Sequence, residues 1–218
     1  MSAQNPANHS AFPCPVVDGL SLPAELRRLL RPDELVPDRV GRSHRLPRFF
    51  YEIADWPLAK ATFLTPHFRL SELVVVDCRE DDRLLHEFPH YVPCAVALLV
   101  RCLEALRAHV GDAPVFIAAN GAYRSPAHRL DSGAVTDGGG FGPHQWAVAA
   151  DIYRIGDIWL NTRSAIEKYA DFARALGPDV RIAPYGHGIH ESDDHLHLDL
   201  GYARMIPVEV DEEVLSTI

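Results

Sequence analysis

The sequence lacks any apolar run near the roughly 18–20 residues that a membrane-spanning helix needs, so no such span is expected. Positive charge is also short. Twenty-one Lys and Arg face 30 Asp and Glu, leaving a net charge of -9. A chain this acidic is poorly suited to neutralising phosphates, so no nucleic-acid partner is expected, and it gains nothing at an anionic membrane. The first residues, MSAQNPANHSAFPCPVVDGL, lack a basic stretch followed by an apolar one. No secretory signal is read there, and the cytoplasm is the expected compartment. None of the four cysteines, Cys14, Cys78, Cys94 and Cys102, forms a C-x-x-C pair. That spacing argues against a zinc finger, and reduced thiols are expected. Repeats and low-complexity tracts are absent.

What remains is a chain of 218 residues, 47% of them apolar, enough for one domain with a sizeable core. Residues 1–64 read as a partly irregular N-terminal extension with one short helix at Pro23–Leu30. The aromatic segment Phe49–Phe63 is expected to pack on the main domain, which spans 65–218. Within it, Phe68–Leu73 reads as a turn of helix. Val92–His109 has the 3–4 spacing of an amphipathic helix, with Cys102 on its apolar stripe, Pro93 in its first turn and Gly111 as its stop. Val115–Ala119 reads as a short buried strand. Ser125–Gly142 is too rich in glycine for a regular element. Val148–Tyr153 and Val180–Ala183 read as strands. Thr162–Leu176 reads as a helix capped by Asn161 or Thr162, with Ile166, Tyr169, Ala170, Ala173 and Leu176 inward. The sum is an α+β fold: a small, mostly antiparallel sheet flanked by helices.

Histidine is the unusual residue: twelve in all, four of them between His187 and His197. In His195–Leu200 the alternation puts Leu196, Leu198 and Leu200 on one face, and His195, His197 and Asp199 on the other. A divalent metal would organise that polar face; a surface strand carrying histidines by chance is the equal alternative. Asp151 interrupts an apolar run after His144, in PHQWAVAAD, so it is either a ligand or a buried carboxylate with a partner. Arg124, in GAYRSP just past the Val115–Ala119 strand, is either a clamp for a substrate carboxylate or a structural arginine bonding loop carbonyls. His187 and His190 read as exposed loop residues, and Trp146 as packing beneath the site.

The order A-Y-R-S-P, then H-x6-D, then D-H-x-H resembles the zinc D-alanyl-D-alanine carboxypeptidases and their relatives, which include D,D-dipeptidases, L,D-carboxypeptidases, phage endolysin peptidases and the hedgehog signalling domain. The resemblance covers roughly Phe68–Tyr202. It implies that His144, Asp151 and His197 bind one Zn2+ and leave a fourth position for water. It further implies Asp194 as general base, His195 as support for the oxyanion or proton transfer, and Arg124, with Tyr123 and Ser125, at the substrate. Gly142 stands where the family has serine, and Ala147 where it has glycine. The serine helps hold substrate in relatives, so its loss bears on specificity. Expected is a zinc-dependent hydrolase acting on a small peptide or amino-acid-derived substrate. Two histidines and an aspartate also suit Fe2+ or another divalent metal, as in non-haem iron oxygenases. A non-catalytic, hedgehog-like binding module is the third reading. Nothing in the sequence indicates an oligomeric state.

Overall fold

The computed structural model describes residues 14–74, 90–127, 140–185 and 195–207. Their architecture is α+β, and every pairing between its strands is antiparallel. No helix among these residues is long and apolar enough to cross a membrane.

Residues 14–64 hold β1 (Val16–Asp18), α1 (Ala24–Leu30), β2 (Leu35–Pro37), β3 (Ser43–Arg45), β4 (Phe49–Glu52) and α2 (Trp56–Ala61). This stretch is built into the body of the molecule. β4 lies between β1 and β5 (Tyr91–Pro93) in a three-stranded sheet, and Phe49, Tyr51 and Ile53 share one buried cluster with Leu99 and Leu103. The short α3 (Leu70–Val74) follows, as the Phe68–Leu73 pattern predicts.

Helix α4 (Val96–His109) buries Val96, Leu99, Val100, Leu103 and Leu106. It starts four residues later than the spacing predicts. Tyr91–Pro93 instead pair with β4, so cross-strand hydrogen bonds take residues whose side chains would also have suited a helix. Cys102 is half-buried on this helix, and burial pushes its thiol up to about 11. Cys14, Cys94 and Cys102 are free thiols, as expected; Cys78 lies outside the described residues.

The main sheet has the order β6–β7–β10–β9, with β8 added to β7. Its strands are β6 (Val115–Ile117), β7 (Ala149–Ile155), β8 (Ile158–Trp159), β9 (Arg181–Tyr185) and β10 (His195–Asp199). Helix α5 (Arg163–Arg174) crosses between β8 and β9 and packs against β9 and β10. Its cap is Thr162, whose hydroxyl accepts from Ala165 N at 3.3 Å. Ile166, Tyr169, Ala170 and Ala173 are buried, as the spacing predicts.

Period-two alternation then divides the sheet chemically. Ala150, Ile152, Leu196 and Leu198 join the cluster that α4 and α5 complete. Asp151 and His197, which stand opposite one another in register, fall on the other face. Register is strongly fixed here, because a one-residue slip would drive four apolar side chains out of the core and a charged pair into it.

The glycine stretch before His144 has a structural reason at one position. A Cβ on Gly140 would fall 1.8 Å from the carbonyl carbon of Asp38, a backbone atom that cannot move aside cheaply. The β2–β3 hairpin therefore docks directly on this segment. Phe141 N donates to Pro37 O at 2.8 Å, and Trp146 Nε1 donates to Arg45 O at 2.9 Å.

Candidate metal centre

Three segments converge on the polar face of the sheet. A short 3-10 turn, Pro143–Trp146, carries His144; β7 carries Asp151; β10 carries His197. All three side chains are buried, and one potential ligand atom from each lies within 4.8 Å of the others. Asp151 Oδ1 sits 2.8 Å from His197 Nδ1 and 3.4 Å from His144 Nε2. Ligand atoms about 2.0–2.1 Å from a tetrahedral ion stand about 3.3 Å apart, so a small adjustment would seat one. This group is able to hold a metal ion.

The outward nitrogens support that use. His144 Nδ1 lies 2.7 Å from Ala122 O, so it carries the proton there and Nε2 keeps its lone pair for the site. His197 Nε2 lies 3.1 Å from Asp199 Oδ2, which leaves Nδ1 facing Asp151. Asp199 is itself fixed, accepting from Gly201 N at 2.6 Å. A carboxylate behind a ligating imidazole is the usual outer support of a metal site. Period two puts Asp199 on the ligand face of the sequence, but its supporting role emerges only from this contact.

Arg124 is engaged with the candidate ligand. Its Nη2 donates to Asp151 Oδ2 at 2.5 Å, and its Nε donates to Asn120 O. Of the two readings of this residue, the structural one is met, since Arg124 bonds the loop carbonyl of Asn120; it also lines the cavity, with its guanidinium engaged by Asp151. Gly121 permits the tight turn beneath it, because a Cβ there would stand 2.5 Å from Ala118 O. Asp151 N donates to Gly121 O at 2.6 Å, and Arg124 N to His144 O at 3.2 Å. The G-A-Y-R segment thus braces two of the three ligand-bearing segments.

Tyr123 and Ser125, expected at the substrate, are buried, and neither is among the side chains that line the cavity. Tyr123 belongs to the main core, and burial pushes its phenol pKa up. His195 does line the cavity, with Nε2 3.6 Å from Asp151 Oδ1. Asp194, His187 and His190 lie outside the described residues. Trp146 is fully buried and packs with Val36, Leu46, Phe141 and Val148. Ala147, at the position where the resemblance leads one to expect glycine, has φ of 56°, a left-handed conformation that glycine adopts more readily than alanine. A Cβ on Gly142 would meet nothing closer than Gln145 Oε1 at 4.0 Å, so the fold itself leaves room for a side chain at that position.

Protonation follows the contacts. Burial is the main influence on His144 and lowers its pKa, keeping the imidazole neutral and able to ligate. Burial opposes the charge on Asp151, yet the His197 hydrogen bond and the Arg124 charge hold its carboxyl far below the usual carboxylate range. Burial likewise opposes a charged His197, but Asp151 and Asp199 on either side outweigh it and raise its pKa to about 9.

The face opens into a cavity of about 340 Å³, at the small end of the range for ligand pockets. No family model, no curated protein and no solved structure matches this chain.

Proposed function

We propose that the chain is a mononuclear zinc hydrolase that cleaves an amide bond in a small peptide, as in D,D- or L,D-carboxypeptidases and dipeptidases. The observation that carries this reading is the convergence of His144, Asp151 and His197 on one wall of an open cavity. Three protein ligands beside an open space suit a catalytic rather than a structural zinc, which would be closed by a fourth side chain.

When bound, zinc would supply an acidified water and a Lewis acid toward the scissile carbonyl. The chain's residues do the rest. His144 Nε2, Asp151 Oδ1 and His197 Nδ1 would hold the ion, while Ala122 O and Asp199 keep the two rings turned and Arg124 keeps Asp151 turned. Asp194, adjacent to β10 in sequence, is proposed to take the proton from water and return it to the leaving amine. His195, at the cavity wall, is proposed to donate to the developing oxyanion.

Two measurements test this. Purified protein should contain about one zinc per chain, and His197→Ala should lose both metal and hydrolysis of a D,D-, L,D- and L,L-dipeptide panel. Asp194→Asn should keep the metal and lose turnover. Full metal content in His197→Ala would overturn the ligand assignment. An Asp194→Asn protein with undiminished hydrolysis would overturn the proposed base.

A further inference from the structure

The cavity contains more positive charge than a zinc site requires. Three guanidinium groups, those of Arg39, Arg124 and Arg181, line it beside the carboxylates of Asp151 and Asp199, in a chain whose net charge is -9. Arg124 is committed to Asp151 and Asn120. Neither the Arg39 nor the Arg181 side chain has a hydrogen-bond or ion-pair partner among the described residues, and both residues are exposed.

Their positions are nonetheless built. Arg39 stands at the tip of the β2–β3 hairpin, on a turn organised by the buried Asp38. That carboxylate accepts from Val40 N at 2.9 Å, Arg42 N at 2.8 Å and Arg42 Nε at 3.1 Å, with His44 Nε2 at 3.0 Å. Docking on Gly140 then brings the tip to the cavity. Arg181 starts β9 opposite Asp199, and its guanidinium lies over Gly201, where a Cβ would come within 3.1 Å of Arg181 Cζ. Tyr202, next to Gly201 in sequence, lines the same cavity as both arginines. Two guanidinium groups with no side-chain partner among the described residues, lining a small cavity that also holds a metal-binding group, suit a ligand with an anionic group besides the one that meets the metal.

We propose that Arg39 and Arg181 form an anion subsite in this cavity, so that the substrate is a small peptide-like molecule carrying a carboxylate remote from the scissile bond. The specificity determinant Arg39 therefore comes from residues 1–64, outside the resemblance to the carboxypeptidases. This assignment of substrate class rests on the hydrolase reading, but the subsite itself does not.

The test uses simple ligands on zinc-loaded protein. Succinate, glutarate and adipate are each compared with their own monoamide by titration calorimetry. One carboxylate of each can reach the metal, so only the second is scored. At least one diacid should bind about tenfold or more tightly than its monoamide, the usual value of a charge-assisted contact. Arg39→Gln and Arg181→Gln should each reduce that preference and together abolish it, with zinc content and monoamide affinity unchanged. A diacid preference absent from the native protein, or undiminished in the double variant, would overturn the subsite. If the preference behaves as expected while no dipeptide in the panel is hydrolysed, the hydrolase reading fails and the subsite stands.

Discussion

Replacing Asp199 with asparagine separates two effects that the structure ties to one imidazole. His197 lies between Asp151 Oδ1 at 2.8 Å and Asp199 Oδ2 at 3.1 Å. In the metal-free protein both carboxylates favour the protonated ring, whose pKa is raised to about 9. At pH 7, about one molecule in a hundred then has a deprotonated His197, so proton competition weakens apparent zinc affinity by about 100-fold. Once the ion is bound, Asp199 has a second effect: it accepts the Nε2 proton and strengthens Nδ1 as a ligand, a support worth about 10- to 100-fold in metal affinity. The asparagine side chain would keep the shape and an acceptor for Gly201 N but lose the charge. Intrinsic affinity should fall, while the pKa of His197 should fall too and relieve part of the competition at neutral pH. Chelator competition between about pH 6.5 and 9.5 reads both. Native protein should gain about tenfold in zinc affinity per pH unit from 7 to 9. Asp199→Asn should show a shallower rise and its largest deficit, about 10- to 100-fold, near pH 9.5. Equal affinity of the two proteins at that upper pH, or a flat native profile between pH 7 and 9, would refute the reasoning.

The same imidazole predicts a pH dependence of folding without metal. The His197 pKa is higher folded than unfolded, about 9 against 6.5. Its stabilisation is therefore complete below pH 6.5 and lost as pH rises through 9, to an upper limit of about 3 kcal/mol. Thermal melts of metal-free protein should show Tm falling across that window; a Tm rising from pH 6.5 to 9 would contradict the buried ion pair. Gly140→Ala should undock the β2–β3 hairpin, because its Cβ would stand 1.8 Å from backbone carbon of Asp38. Limited proteolysis should then cut near residues 38–43 faster than in native protein, and the diacid preference should weaken with it. Unchanged proteolysis would mean that the close approach is not required.

Local pattern carried much of this protein's description, for identifiable reasons. β10 was legible because alternation of Leu196 and Leu198 with His195, His197 and Asp199 needs only the period of a strand. Helix α5 was legible from its spacing and its Thr162 cap. The start of α4 was not, since Val92 and Pro93 suit either state locally and the choice is made by β4, about forty residues away in sequence. Residues 1–64 read as a partly irregular extension for a similar reason. Their strands are three or four residues long, too short for a period to declare itself, and their partners lie elsewhere in the chain.

The sequence by itself determined which side chains have metal-binding chemistry and which strand face presents two of them. Both follow from residue type and local periodicity. Tertiary structure alone decided that His144 meets that face, that Arg124 turns toward Asp151, that Asp199 backs His197, and that Arg39 reaches the same cavity from a distant hairpin. Those relations depend on strand register and on the close approach at Gly140, which join residues up to about 160 positions apart, beyond the reach of any local pattern.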